Sequence, residues 1–125
     1  MKFRLLTVIS ACVLVPAFAH DNHDHSIIRQ SACGGGVKSK LAADDENGRI
    51  EVEYEIDDAR PGDIWLIVIR KNGAVILRTR KRVNAAGDAA VRVLTTNGSG
   101  NERIAAGATR VGGGGKCGGS LVVNF

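Results

Sequence analysis

The sequence predicts an all-β protein, an antiparallel two-sheet sandwich of about seven strands. Three observations carry that reading. The stretch "RIEVEYEI", Arg49 to Ile56, alternates cleanly, with Ile50, Val52, Tyr54 and Ile56 on one side and Glu51, Glu53 and Glu55 on the other. Short apolar stretches recur at regular spacing from Val37 to the end, separated by Gly, Asn, Asp and Pro turn signals. No segment shows the 3.6-residue period of a helix.

The chain begins "MKFRLLTVISACVLVPAFAHDNHDH". Lys2 and Arg4 precede the apolar run Leu5 to Val15, and "AFA" places small residues at Ala17 and Ala19, so residues 1–19 read as a signal peptide cleaved before His20. The apolar run is too short for a comfortable membrane span, and no later segment approaches it; no membrane span is expected. A rival route, lipidation of Cys12 in "ISAC", leaves apolar "VLVPAFA" after the acylated residue instead of a polar tether. The expected location is secreted or periplasmic.

Residues 20–32 are polar and aperiodic and read as a disordered His/Asp-rich leader; residues 33–125 read as the folded domain. In that domain "VKSKL" alternates, "ADDENG" reads as a loop, and "RIEVEYEI" is the second strand. "DDARPGD" is a turn punctuated by Pro61-Gly62. Ile64 to Arg70 form a third strand, "KNG" a turn, and Ala74 to Val83 a fourth. "AAVRVL", "ERIAAGATR" and "KCGGSLVVNF" complete the set.

At these residues the chain resembles immunoglobulin-like or fibronectin-III-like modules of small exported bacterial proteins. The resemblance covers Cys33 to Phe125 and rests on strand number, on Trp65 in the third strand and on the "RKNG" hairpin after it. It implies a fold and no defined chemistry. The cysteines depart from the antibody pattern, lying on the first and last strands. With Cys12 removed, Cys33 and Cys117 form an even pair suited to an oxidising compartment. A bridge between them ties the ends of the domain together and closes a loop of more than eighty residues. The chain-entropy model values that at about 4–5 kcal/mol.

Losing Lys2 and Arg4 from the seventeen basic residues leaves fifteen against thirteen acidic ones. The distribution is uneven: acidic residues concentrate before Ile64 and basic ones after it. A dipolar molecule follows unless the fold interleaves the halves.

The third strand raises the functional question. "IWLIVI", Ile64 to Ile69, is apolar on both faces, whereas a strand in a two-layer protein has one face for the core. A three-residue loop Lys71-Asn72-Gly73, with Arg70 opposite Ala74, puts Trp65, Ile67 and Ile69 in the core. It leaves Ile64, Leu66 and Val68 outside, beside Ile76, Arg78 and Arg80. A two-residue Asn72-Gly73 loop moves the register and sends Trp65 out beside the arginines. The first register is preferred because a Trp contributes most when buried. The outer row then needs cover, from the stems of Arg78 and Arg80, from Ile27 and Ile28, or from a protein partner such as a second copy.

Other motifs yield less. "HDNHDH" offers His20, His23 and His25 as ligands for Cu, Zn or Ni, yet no later histidine exists to organise a site. "RTRKR" projects Arg78, Arg80 and Arg82 from one face. Nucleic-acid and glycan surfaces add exposed aromatic rings, and only Tyr54, Trp65 and Phe125 follow the signal, so no nucleic-acid partner is expected. The bland expectation is that this run pairs across strands with the Glu51, Glu53, Glu55 ladder. "GGGGKC" lacks both the first glycine and the Ser or Thr of a phosphate loop. "NGS" at Asn97 is a glycosylation sequon in a chain whose signal has bacterial character. Without histidine in the domain, and with its cysteines bridged, no catalysis is expected. The predicted role is an exported non-enzymatic structural or protein-interaction module, with metal binding by the tail as the alternative.

Overall fold

The computed structural model describes residues 26–125. Eight strands follow one another: β1 (Ile27–Gly34), β2 (Val37–Glu46), β3 (Arg49–Asp57), β4 (Ile64–Lys71), β5 (Ala74–Arg82), β6 (Ala89–Thr96), β7 (Glu102–Arg110) and β8 (Lys116–Val123). They form two antiparallel sheets, ordered β1-β2-β3-β6 and β5-β4-β7-β8. The two sheets face one another as a sandwich, with the first three strands and β6 in one layer and β4, β5, β7 and β8 in the other. The strand count is therefore eight, not seven. The addition is β1, in the stretch read as the end of the polar leader.

Strand β1 escapes sequence reading because its side chains carry little period; its place comes from backbone pairing along the edge of β2. Ile27 packs against the core and Ile28 stays about half exposed. Strand β2 is also longer than its alternation suggests. Asp44, Asp45 and Glu46 continue it opposite Glu51, Ile50 and Arg49. The expected "ADDENG" loop shrinks to Asn47-Gly48, whose positive φ values of 51° and 78° make the two-residue hairpin turn that Asn-Gly favours.

The same chemistry closes the β4–β5 hairpin. Asn72 and Gly73 have φ values of 50° and 84°, and Lys71 faces Ala74. The expected three-residue loop is thus corrected to two. By itself, that change would turn Trp65 outward. It does not, because Ile69 faces Leu77 while Arg70 faces Val75. Ile76 is left as a bulge that restores the alternation. Trp65, Ile67 and Ile69 are buried, and Ile64, Leu66 and Val68 lie on the outer face. Ile76 leaves the outer row and packs against the core instead, correcting its expected position.

The core lies between the sheets. Leu41, Val52, Tyr54 and Ile56 come from one sheet, and Trp65, Ile67, Ile69, Ile104 and Leu121 from the other. Gly115 lies flat on the Trp65 indole; a Cβ there would meet the ring at 2.7 Å, so any side chain displaces the tryptophan. Near the hairpin tip, Lys71 reaches inward to Glu102 at 3.6 Å and donates to the Thr96 carbonyl at 2.6 Å. The Glu102 carboxylate, almost fully enclosed, also accepts from the Gly98 N–H at 3.2 Å.

The Cys33–Cys117 disulfide is present, with Cα atoms 4.8 Å apart. Its partners sit on β1 and β8, which are edge strands of opposite sheets lying side by side. The bridge therefore pins sheet to sheet along one flank, and does not merely join the ends of the domain. Replacing both cysteines with serine should lower unfolding free energy by about 2–5 kcal/mol. Urea unfolding of the double variant beside the oxidised protein measures it; equal midpoints would contradict that role.

Candidate contact face

The parity of β4 decides what its sheet shows to solvent. Ile64, Leu66 and Val68 point outward, directly opposite Arg82, Arg80 and Arg78 of β5. On the other side Leu66 faces Thr109 and Val68 faces Gly107, which in turn faces Gly118 of β8. Small residues on β7 and β8 leave the aliphatic row beside a shallow depression of about 180 Å³, floored by Leu66, Val68 and Gly107. Ile27 and Ile28 belong to the opposite sheet, so they do not cover the row. Leu66 and Val68 are half-buried, as neighbours flanked by arginine stems would be.

The charge on this face is of one sign. Arg78, Arg80 and Arg82 project from β5, Arg70 from β4, Arg103 from β7 and Lys116 from β8. None holds an ion pair among the described residues. The expected pairing of the arginine run with the glutamate ladder does not form, because β5 and β3 lie in different sheets. Glu51 and Glu53 share Arg92 at 3.1 and 2.8 Å, and Glu55 takes Lys40 at 3.4 Å. Edge protection explains part of the basic run, since charged side chains discourage an edge strand from pairing with another chain. It does not explain Arg70 and Arg103, which stand on the two central strands.

The opposite outer face is acidic on balance, six carboxylates (Glu46 among them) against Lys38, Lys40, Arg49 and Arg92. Asp44 of β2 and Glu51, Glu53, Glu55 and Asp57 of β3 point from it. Carboxylate oxygens of Glu55, Asp57 and Asp88 lie within 4.8 Å of one another, a set able to hold a hard divalent cation. Sequence reading misses this cluster because Asp88 comes from a turn that only the fold brings beside β3. Burial, then hydrogen bonding and charge from Glu55 and after it from Asp88, raises the Asp57 carboxyl from 3.8 to about 6.

A cleft of about 860 Å³ opens at one end of the sandwich, lined by the Gly113 to Gly115 run, Asp58, Asp63 and Arg110. Its carboxylates are already engaged. Asp63 pairs with Arg110 at 3.5 Å, and Arg110 donates to the Gly113 carbonyl at 2.7 Å. Asp58 pairs with Lys38 at 3.6 Å. This is the chemistry of turns held by local ion pairs. His20, His23 and His25, with the signal segment, lie outside the described residues. Among those described, no helix is long and apolar enough to cross a membrane. Comparisons with family models, curated proteins and solved structures return no match.

The raised Asp57 pKa has a definite sign. Its ionised form is disfavoured in the fold, so the stabilising contribution is complete below 3.8 and is lost as pH rises through about 6. Asp57→Asn should stabilise the protein at pH 7 by about 1–2 kcal/mol, after allowance for solvent screening, and leave it little changed at pH 4. Urea titrations at the two pH values decide this; an equal effect at both would remove the cluster as its cause.

Proposed function

We propose that this protein is an exported, non-enzymatic structural or protein-interaction module, and that its contact surface is the outer face of the β5-β4-β7-β8 sheet. The observation that carries the reading is the half-buried Leu66 and Val68 row, set in a flat sheet face and rimmed by basic side chains without ion-pair partners. An apolar centre with a polar rim is the anatomy of a protein contact, and arginine is the cation most enriched there. The lack of exposed aromatic rings on this face weighs against nucleic acid and glycan. The disulfide suits an oxidising compartment outside the cytoplasm. Absence of histidine from the domain, bridged cysteines and engaged loop carboxylates support a role without catalysis.

A photo-reactive side chain tests the surface directly. Benzoyl-phenylalanine in place of Val68 should form a covalent protein adduct in the cells that export the chain, and the same group at Ala85, on a distant turn, should not. Absence of an adduct at position 68, or equal adducts at both, would refute the contact surface. Leu66→Lys should abolish the wild-type association while shifting the melting temperature by only a few degrees, since the side chain sits outside the core. A large drop in melting temperature would mean that the chain itself covers the row.

A further inference from the structure

Resting on that contact surface, we propose that its partner is a second copy of the same chain, presenting the acidic outer face of its β1-β2-β3-β6 sheet, so that copies stack front to back. The basic face cannot serve both copies. A symmetric contact would set Arg78, Arg80 and Lys116 against a like surface with no acidic residue in the sheet face to meet them.

The complementary surface is on the other side of the same molecule. Glu51, Glu53 and Glu55 of β3 recur every second residue, as do Arg78, Arg80 and Arg82 of β5, so both ladders repeat at about 6.8 Å along their strands. Asp44 and Asp57 add acid to that face and hold no ion pair among the described residues. Arg92 is divided between Glu51 and Glu53, leaving each with capacity for another donor.

The apolar parts also correspond. Ile28 and Leu94, exposed by 49% and 50%, stand on the acidic face to either side of the glutamate ladder. The depression beside Val68 and Gly107, about 180 Å³, has room for one aliphatic side chain. Each face spans about 19 by 27 Å, from four strands at about 4.8 Å and eight residues at about 3.4 Å. That is smaller than the roughly 800 Å² per partner of a standard stable complex, so the contact is weak and concentration-dependent. Because the two faces differ, the contact is heterologous and propagates beyond a pair.

Two blocked variants test the geometry. Leu66→Lys spoils the basic face and leaves the acidic one; Glu53→Lys with Glu55→Lys does the reverse. In sedimentation velocity the unmodified mature protein should form a ladder of species that grows with concentration and weakens roughly tenfold or more as salt rises from low to high. Each variant alone should sediment as a monomer, and an equimolar mixture as a 1:1 dimer and nothing larger. If the glutamate variant melts lower, Ile28→Lys with Leu94→Lys blocks the same face without touching the ladder.

A wild-type protein that stays monomeric to millimolar concentration would overturn front-to-back stacking. So would a dimer that survives the glutamate substitutions. The adduct at position 68 separates the two levels. An adduct with a different protein refutes self-stacking and leaves the contact surface standing, whereas no adduct refutes both.

Discussion

Burial of the Trp65 indole against Gly115 fixes the parity of β4, and the rest of the molecule's surface depends on that choice. A strand has two faces, and only one can enter the core. Once Trp65, Ile67 and Ile69 are inside, Leu66 and Val68 must be outside. The bulge at Ile76 then brings β5 into agreement, placing Leu77 inward and Arg78, Arg80 and Arg82 outward. One side chain of extra length in β5 thus converts a two-residue turn, which alone would reverse the faces, into a hairpin that keeps the tryptophan enclosed.

Most of the architecture is legible in the sequence because most strands are buried on one face only. The alternation of β3 and the recurrence of turn residues reveal the sandwich directly. Three features are not legible, each for a physical reason. Strand β1 is held by backbone bonds to β2, which leave little trace in side-chain pattern. The acidic end of β2 resembles a loop by composition, although Asn47-Gly48 is the true turn. The Ile76 bulge has no signature in "AVILRTR", since every residue around it is compatible with a regular strand.

The candidate contact face was partly readable for the same reason. Ile64, Leu66, Val68, Arg78 and Arg80 share a face, as period-two reasoning requires, while the bulge removes Ile76 from it. The charge pattern needed the topology. Acidic and basic halves of the chain fall mostly into different sheets, because β1, β2 and β3 are consecutive in one and β4 and β5 in the other. The sequence asymmetry is therefore preserved as two oppositely charged faces, and the glutamates find their partners in Arg92 and Lys40. The Glu55, Asp57, Asp88 cluster arises from the same connectivity, where the turn before β6 returns beside the end of β3.

The flank closed by Cys33 and Cys117 also gives the domain a mechanical property. A tension applied between residue 26 and Phe125 runs along nearly all of β1 as far as Cys33, through the sulfur–sulfur bond and out along β8. Strands β2 to β7, with nearly all of the core, lie inside the covalent loop and off that load path. Pulling on the ends can peel only the residues outside the bridge, most of β1 and β8, so under traction the oxidised protein has a fixed and limited extension. Reduction would return the whole loop to the path of the force.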